Sequence, residues 1–165
     1  VLLGGKNIEE GFGISFRVIQ AFQLDAAAVY DKTAKHLLQY RKFCQIRQLL
    51  KCVSESGVAS GDDTDNLLIR FIEGGDEHLS QSKDLEKLIL EMKKDENKIK
   101  AFLLCRKYRS AYLVAVKLEQ MQAVRNVQEV LEAAERAEDE LIPKICRDWL
   151  KSHQLKTVQQ KTHRK

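Results

Sequence analysis

The stretch "LLGGKNIEEGFGISF" near the start of the chain places glycines at positions 4, 5, 11 and 13, with Lys6 directly after a glycine pair. Glycine-rich segments bind phosphate when their backbone N–H groups converge on the anion and a lysine adds its charge. The spacing here does not fit. A P-loop needs GxxxxGK followed by Ser or Thr, whereas Lys6 is followed by Asn7 and no glycine lies five residues before Gly5. A dinucleotide fingerprint needs GxGxxG after a strand, but after Gly11 and Gly13 the third glycine position holds Phe16. The plainer assignment is a turn at Gly4–Gly5, an Asn7 cap on a short helix, and close approach of "ISFRVIQAF" to a neighbour through Gly11 and Gly13.

Sulfur and imidazole are no better grouped. The four cysteines, Cys44, Cys52, Cys105 and Cys146, form no CxxC pair, and a zinc site needs clustered Cys and His. Cys44 and Cys52 lie eight residues apart, with His36 the nearest imidazole. The cysteines read as buried structural thiols in a reducing compartment. A nucleophilic Cys105 would need a histidine partner, and His36, His78, His153 and His163 all fall at positions expected to be exposed or terminal. The chain has 24 acidic residues, and the sequence singles out no pair of them as an acid–base site; "EVLEAAERAEDE" reads as a solvated helix face. The expectation is no catalytic residue, no metal ligand and no cofactor site in this chain.

The charge is unevenly placed. The net charge is +4, yet residues 151–165, "KSHQLKTVQQKTHRK", hold five basic side chains and no acid, which leaves 23 bases against 24 acids in the body. A neutral body points to no nucleic-acid or membrane partner. The segment "RKYRSAY" mixes cations with an aromatic ring, as nucleic-acid binders do and as solvated helix ends also do. Arg106, Lys107 and Arg109, with Lys156, Lys161, Arg164 and Lys165 of the tail, are the candidate partner-binding residues. The alternative reading of the same residues is a nucleic-acid-binding helical module.

The elements that must carry these side chains are helical. The chain has 165 residues, of which 44% are apolar, 32% charged and one is proline. That suits one domain with a real core or a short run of repeats. No apolar run approaches the roughly 18–20 residues of a membrane span. The start lacks Met and any signal-peptide pattern, and reads as a fragment of a longer protein. Asp25 caps a helix with Ala27, Tyr30, Ala34 and Leu37 on one face; a break follows near Gln39–Arg41. The next helix carries Phe43, Ile46, Leu49, Leu50 and Val53 and stops at Gly57, giving a hairpin of about 33 residues. "VASGDDTDN" is a loop in which Asp62, Asp63 or Asp65 caps a stripe of Leu67, Leu68, Phe71 and Ile72 ending at Gly74–Gly75. Ser82 or Asp84 starts a helix with Leu85, Leu88, Ile89 and Met92 inward, and Asp95 caps one with Ile99, Phe102 and Leu103 inward. "SAYLVAVKL" could pass for a buried strand, but no Gly or Pro bounds it and helices flank it, so it is expected as a central helix buried all round. Val124, Val127, Val130 and Leu131 mark the next helix. Leu141, Ile142, Ile145, Cys146, Trp149 and Leu150 mark the last, with Pro143 in its first turn.

An internal echo favours repeats over a closed bundle. "AKHLLQYRKFCQIRQLLKCV" from Ala34 overlays "AVKLEQMQAVRNVQEVLEAA" from Ala115 without a gap, matching Phe43 to Val124, Ile46 to Val127 and Leu49 to Val130. The expected fold is all-α: stacked antiparallel helical hairpins, an α-solenoid segment of about 8 to 9 helices over residues 1–150, with a basic, frayed tail at 151–165.

The words "LLGGKNIEEGFGISFRVIQAFQLDAA", "LLKCVSESG" and "RSAYLVAVK" resemble the extreme C-terminal region of the spastizin family, large FYVE-finger proteins of late endosomes and lysosomes. Order and spacing fit along residues 2–57 and roughly 95–150, while 58–94 and the tail add little. The resemblance implies a non-enzymatic helical scaffold in a vesicle-coat-like assembly. Its implied partners are spatacsin and the fifth adaptor-protein complex, in endosomal sorting and lysosome re-formation during autophagy. It also implies links to abscission at the centrosome and midbody and to double-strand-break repair. Zinc and phosphatidylinositol 3-phosphate binding belong to the family's FYVE finger, whose cysteine pairs and basic motif are absent from this chain, so neither is carried onto any residue here.

Overall fold

A computed structural model describes the backbone of residues 3, 7–56, 61–74 and 82–162, and their side chains except those of 61–63 and 154–162. Among the described residues the chain forms nine α-helices and no strand. They are α1 (Ile8–Phe22), α2 (Ala26–Gln39), α3 (Phe43–Glu55), α4 (Gly61–Glu73), α5 (Lys83–Leu90), α6 (Asp95–Leu104), α7 (Tyr108–Ala115), α8 (Gln120–Arg136) and α9 (Ile142–Thr162). The fold is the expected all-α helical solenoid. Helices α2, α4 and α6 begin at Ala26, Gly61 and Asp95, intervals of 35 and 34 residues. That is the length of a tetratricopeptide helix–turn–helix unit.

The chain divides into two compact units, residues 1–97 and 98–165. In the first, α3 packs against α1, α2, α4 and α5, and α2 packs against α4. A helix that touches the next element and the one after it is the pattern of stacked hairpins. The core is built from the expected stripes: Tyr30, Ala34 and Leu37 of α2, Ile46, Leu49 and Val53 of α3, Leu67, Leu68 and Phe71 of α4, and Leu85, Leu88 and Ile89 of α5. Phe12 of α1 stacks on Tyr30 with ring centroids 5.4 Å apart. Ala27 lies exposed, one position off the buried stripe. In the second unit, α7, α8 and α9 pack on one another around Ala111, Ala115, Val127, Val130 and Cys146.

Several helix starts follow from capping. The Asn7 side-chain oxygen accepts the Glu10 N–H at 2.8 Å, although the helix it caps runs 15 residues and is not short. Asp25 caps α2 through the Ala28 N–H at 3.2 Å, and Ser82 caps α5 through the Leu85 N–H. Pro143 sits in the first turn of α9, where its missing N–H leaves no helix hydrogen bond unmade. Ahead of it, Asp139 accepts the Leu141 and Ile142 N–H groups at 3.0 and 2.8 Å.

The break near Gln39–Arg41 falls where expected, but the helix ends share a device that the sequence does not signal. Residues Gln23, Arg41, Arg106 and Glu138 take left-handed backbone angles, with φ between 51° and 57°. Behind each runs the same hydrogen bond, from the next N–H back to the carbonyl five residues earlier: Leu24 to Ile19, Lys42 to Leu37, Lys107 to Phe102 and Asp139 to Ala134, at 2.8 to 3.0 Å. These are Schellman turns, which usually place glycine at the left-handed residue. None of the four uses it. The expected stop at Gly57 and the turn at Gly4–Gly5 lie outside the described residues; α3 ends at Glu55 and is capped by Ser56.

Four further expectations are corrected. The segment "VASGDDTDN" is not all loop, because α4 already begins at Gly61, so Asp62, Asp63 and Asp65 lie inside the helix rather than before it. Asp95 likewise is the first residue of α6 and not its cap. "SAYLVAVKL" is helical but not buried all round: α7 stops at Ala115, only Ala111 and Ala115 are fully buried in it, and Leu113 is 48% exposed. Eight residues on a two-helix contact bury one face, and the β-branched content does not change that. Gly11 is buried, but against the expected close approach a Cβ at Gly13 would meet nothing within 4 Å, so no neighbour requires glycine there.

Candidate functional site

The candidate residues around Arg106 lie where α6 hands over to α7. Phe102 and Cys105 anchor the last turn of α6 in the core, and the chain then reverses through the left-handed Arg106. Its guanidinium therefore follows the carbonyl end of a helix, where a cation offsets the dipole. Lys107 is the residue before α7 and makes no capping bond with its side chain; Arg109 is exposed on the first turn.

Within this second unit, Arg106 lines an open groove of about 670 Å³. Leu103, Leu104 and Ala133 give it an apolar floor, and Lys100, Arg136 and Glu138 stand beside Arg106 around it. Two Schellman turns, at Arg106 and Glu138, frame the groove, and Tyr108 contributes the aromatic ring. Arg136 is steadied by a bond from its Nε to the Glu132 carbonyl at 3.2 Å. Nearby, the Arg147 guanidinium bonds Glu135 and ties α9 to α8.

Of the described candidate partner-binding residues, only Arg106 lines the groove. Lys107 and Arg109 are its chain neighbours outside the lining. The side chains of Lys156 and Lys161, and all of Arg164 and Lys165, lie outside the described residues; the α9 backbone is helical through Thr162. Sequence reasoning missed Lys100 and Arg136. Both sit on exposed helix faces, and only the packing of the unit sets them beside Arg106.

Such a groove can clamp a partner segment through apolar contact and charges of both signs. Elsewhere the cysteines split. Cys105 and Cys146 are buried as expected, whereas Cys44 is exposed and Cys52 half-buried, because position 44 falls on the side of α3 opposite the Ile46–Leu49–Val53 stripe and position 52 at its edge. Burial, then the Asp139 carboxylate, push the Cys146 thiol up to about 11. Burial, and next to it Glu9, also raise Cys52. His36 is exposed, and His153 stacks on Trp149 with centroids 3.8 Å apart; His78 and His163 lie outside the described residues. Among the described residues no group of three or more His, Cys, Asp or Glu side chains could hold a metal ion. None of the described helices is long and apolar enough to cross a membrane.

Comparison with known proteins agrees with the repeat reading. A family profile described as "ZFYVE26-like, TPR repeats" matches residues 25–151. Zinc finger FYVE domain-containing protein 26 of Mus musculus is 51% identical over 150 residues, covering 91% of this chain and 6% of the relative. The Bos taurus and Homo sapiens proteins of that name are 51% and 49% identical over the same length and coverage. The chain thus spans about 6% of the length of the curated relatives it matches. No solved structure matches it. With most of its length matched by that profile, and with paired helices recurring at the tetratricopeptide interval, the chain belongs to the ZFYVE26-like family of TPR repeats.

Proposed function

We propose that this chain is a non-catalytic helical scaffold that offers its outer faces to protein partners within a late endosomal and lysosomal trafficking assembly. The observation that carries the reading is the run of stacked hairpins in a TPR-repeat family, with a groove of apolar floor and charged rim on the second unit. Repeat stacks spend their apolar stripes on neighbouring helices and recognise partners with the faces left over. Membership of the spastizin-like family supports the finer reading: spatacsin and the fifth adaptor-protein complex as partners, lysosome re-formation and autophagy as the setting. The family's links to abscission and to double-strand-break repair supply further settings for the same scaffold.

Arg106 is the residue we assign to partner contact, together with Lys107, Arg109 and the tail residues Lys156, Lys161, Arg164 and Lys165. The test is capture by the 165-residue chain of spatacsin or adaptor subunits from purified complexes. Capture that weakens in an Arg106→Glu, Arg136→Glu variant supports the assignment; absence of capture by the unaltered chain overturns the function. A second reading, nucleic-acid binding, draws on the gathering of Lys100, Arg106, Arg136 and Tyr108 at one groove. It requires binding to DNA or RNA that falls steeply with salt, and absence of binding at low salt removes it.

A further inference from the structure

Helix α1 carries apolar side chains on two faces. One face, with Ile8, Phe12 and Ile19, is buried in the first unit. The other runs through Ile14, Val18 and Phe22, spaced i, i+4 and i+8, which is one stripe of a helix. This second stripe is about 12 Å long at 1.5 Å per residue, and it stays open to solvent. Ile14 is 39% exposed and Phe22 72%, and Leu24 in the following turn is 48% exposed. Contiguous exposed apolar surface of this kind marks interaction sites.

Beside the stripe lies a groove of about 450 Å³ along α1 and α2, with Leu3, Val18, Ile19, Leu24 and Val29 as its apolar lining. The Thr33 hydroxyl there is already committed to the Val29 carbonyl at 2.9 Å, so it makes no polar demand on an occupant. Among the described residues, Lys32 and His36 are the only charged or titratable side chains in the lining, and no carboxylate belongs to it. The neighbouring Lys35 is neutralised by Asp31 at 3.2 Å, whereas Lys32 makes no ion pair with any described residue. The His36 ring lies tilted against Tyr40 at the rim, with centroids 4.7 Å apart. The groove therefore joins an apolar floor to a cationic rim.

We propose that this groove docks an amphipathic helix of a protein partner, one whose apolar stripe is flanked by carboxylates. The inference rests on the scaffold reading above and names the partner chemistry of one face. Helix-in-groove recognition reads apolar anchors at i, i+3, i+4 and i+7, which suits a floor made by two helices. The rim charge selects the sign of the flank, since like charges set against each other at an interface are penalised and opposite charges speed association. A basic amphipathic helix would bring its cations against Lys32.

The experiment uses the full 165-residue chain and two labelled synthetic helices of about 15 residues, roughly four turns. Both carry leucine at the anchor spacing; one has Glu at the flanking positions and the other Lys. Fluorescence anisotropy is expected to show the Glu helix binding at least tenfold more tightly, with an affinity that falls as salt rises. Phe22→Asp should weaken that binding at least tenfold, and Lys32→Glu should shift the preference towards the Lys helix. Phe22 and Lys32 are both exposed, so circular dichroism should be unchanged in the variants. Leu113→Asp, on an exposed position of the second unit, should leave binding unaltered. Equal binding of the two helices, no binding of either, or a Phe22-dependent dimer of the chain in sedimentation would each overturn the proposal. Carrying Phe22→Asp into the capture assay separates the two readings. If the unaltered chain captures nothing, the scaffold function fails; if both chains capture equally, only the groove assignment fails.

Discussion

Helices α2, α3 and α4 of the first unit and α7, α8 and α9 of the second are each a triplet in which all three members touch. The register that lays Ala34 over Ala115 holds across both. Tyr30 meets Ala111, Ile46 meets Val127, Leu49 meets Val130 and Val53 meets Ala134, and all eight are buried. It even sets the first residue of α4, Gly61, on the first residue of α9, Ile142. Yet the corners differ. The chain leaves α2 through a left-handed Arg41 and enters α3 at Phe43, whereas α7 stops at Ala115 and α8 begins at Gln120 without a left-handed residue between. The matched position of Arg41 is Gln122, already inside a helix. Burial is what the two triplets share. Where a helix ends is set separately, by the local backbone.

One matched pair shows how far chemistry can diverge at equal burial. Asp65 in α4 is 4% exposed and Cys146 in α9 is 0% exposed. The Asp65 carboxylate accepts the Lys93 and Lys94 backbone N–H groups at 3.1 to 3.2 Å and the Asn97 side-chain amide at 3.2 Å, and so fixes the chain that leads into α6. Cys146 is instead kept a neutral thiol by burial and by the Asp139 carboxylate. A buried position accommodates a charge only when donors converge on it.

The largest expected effect tests the shared core. Leu49→Ala should lower unfolding free energy by about 2–5 kcal/mol, and Val130→Ala, which removes fewer carbons, by about 2 kcal/mol. Chemical denaturation measures both, and a negligible loss at either would break the equivalence. Next, Asp65→Ala should cost about 1.5–3 kcal/mol, because it leaves backbone donors without their charged acceptor, while Cys146→Ala should cost about 1 kcal/mol. Equal costs would contradict the contrast. A smaller effect is confined to alkaline solution. The folded Cys146 thiol holds its proton up to about 11, against an ordinary value of 9.0. The native state is therefore the one that keeps the proton. Its contribution is fully present below the ordinary value and is lost as pH rises through that window. Thermal melts across the window should show Cys146→Ala reducing the slope of that decline. The smallest effect distinguishes the corners. Arg41→Gly should stabilise by about 0.5 kcal/mol by relieving the left-handed strain, whereas Gln122→Gly should destabilise by a similar amount.

The apolar stripes were legible because burial repeats every three or four residues, and Leu85, Leu88, Ile89 and Met92 lie inward as read. Caps with a side-chain oxygen, at Asn7, Asp25 and Ser82, were legible for the same local reason. The break at Gln39–Arg41 was legible too, but the left-handed form of the corners was not, because glycine is the signal for a left-handed stop and these stops use Gln, Arg and Glu. The start of α4 was hidden by the loop-like composition of "SGDDTD". Of the groove lining, Arg106 was visible as a cation at a helix end. Lys100 and Arg136 were not, since their proximity comes from packing between helices distant in sequence.

The four Schellman bends have an implication for how this surface can change. Each is shaped by main-chain bonding and by the anchored residue behind it, and the side chain at the bend itself projects outward: Gln23, Arg41, Arg106 and Glu138 are all exposed. A hinge point that does not depend on glycine is a site where the sign of the surface can be rewritten, neutral to positive to negative, without redrawing the path of the chain. Sister repeats could thus acquire different tastes in partners by editing their corners alone.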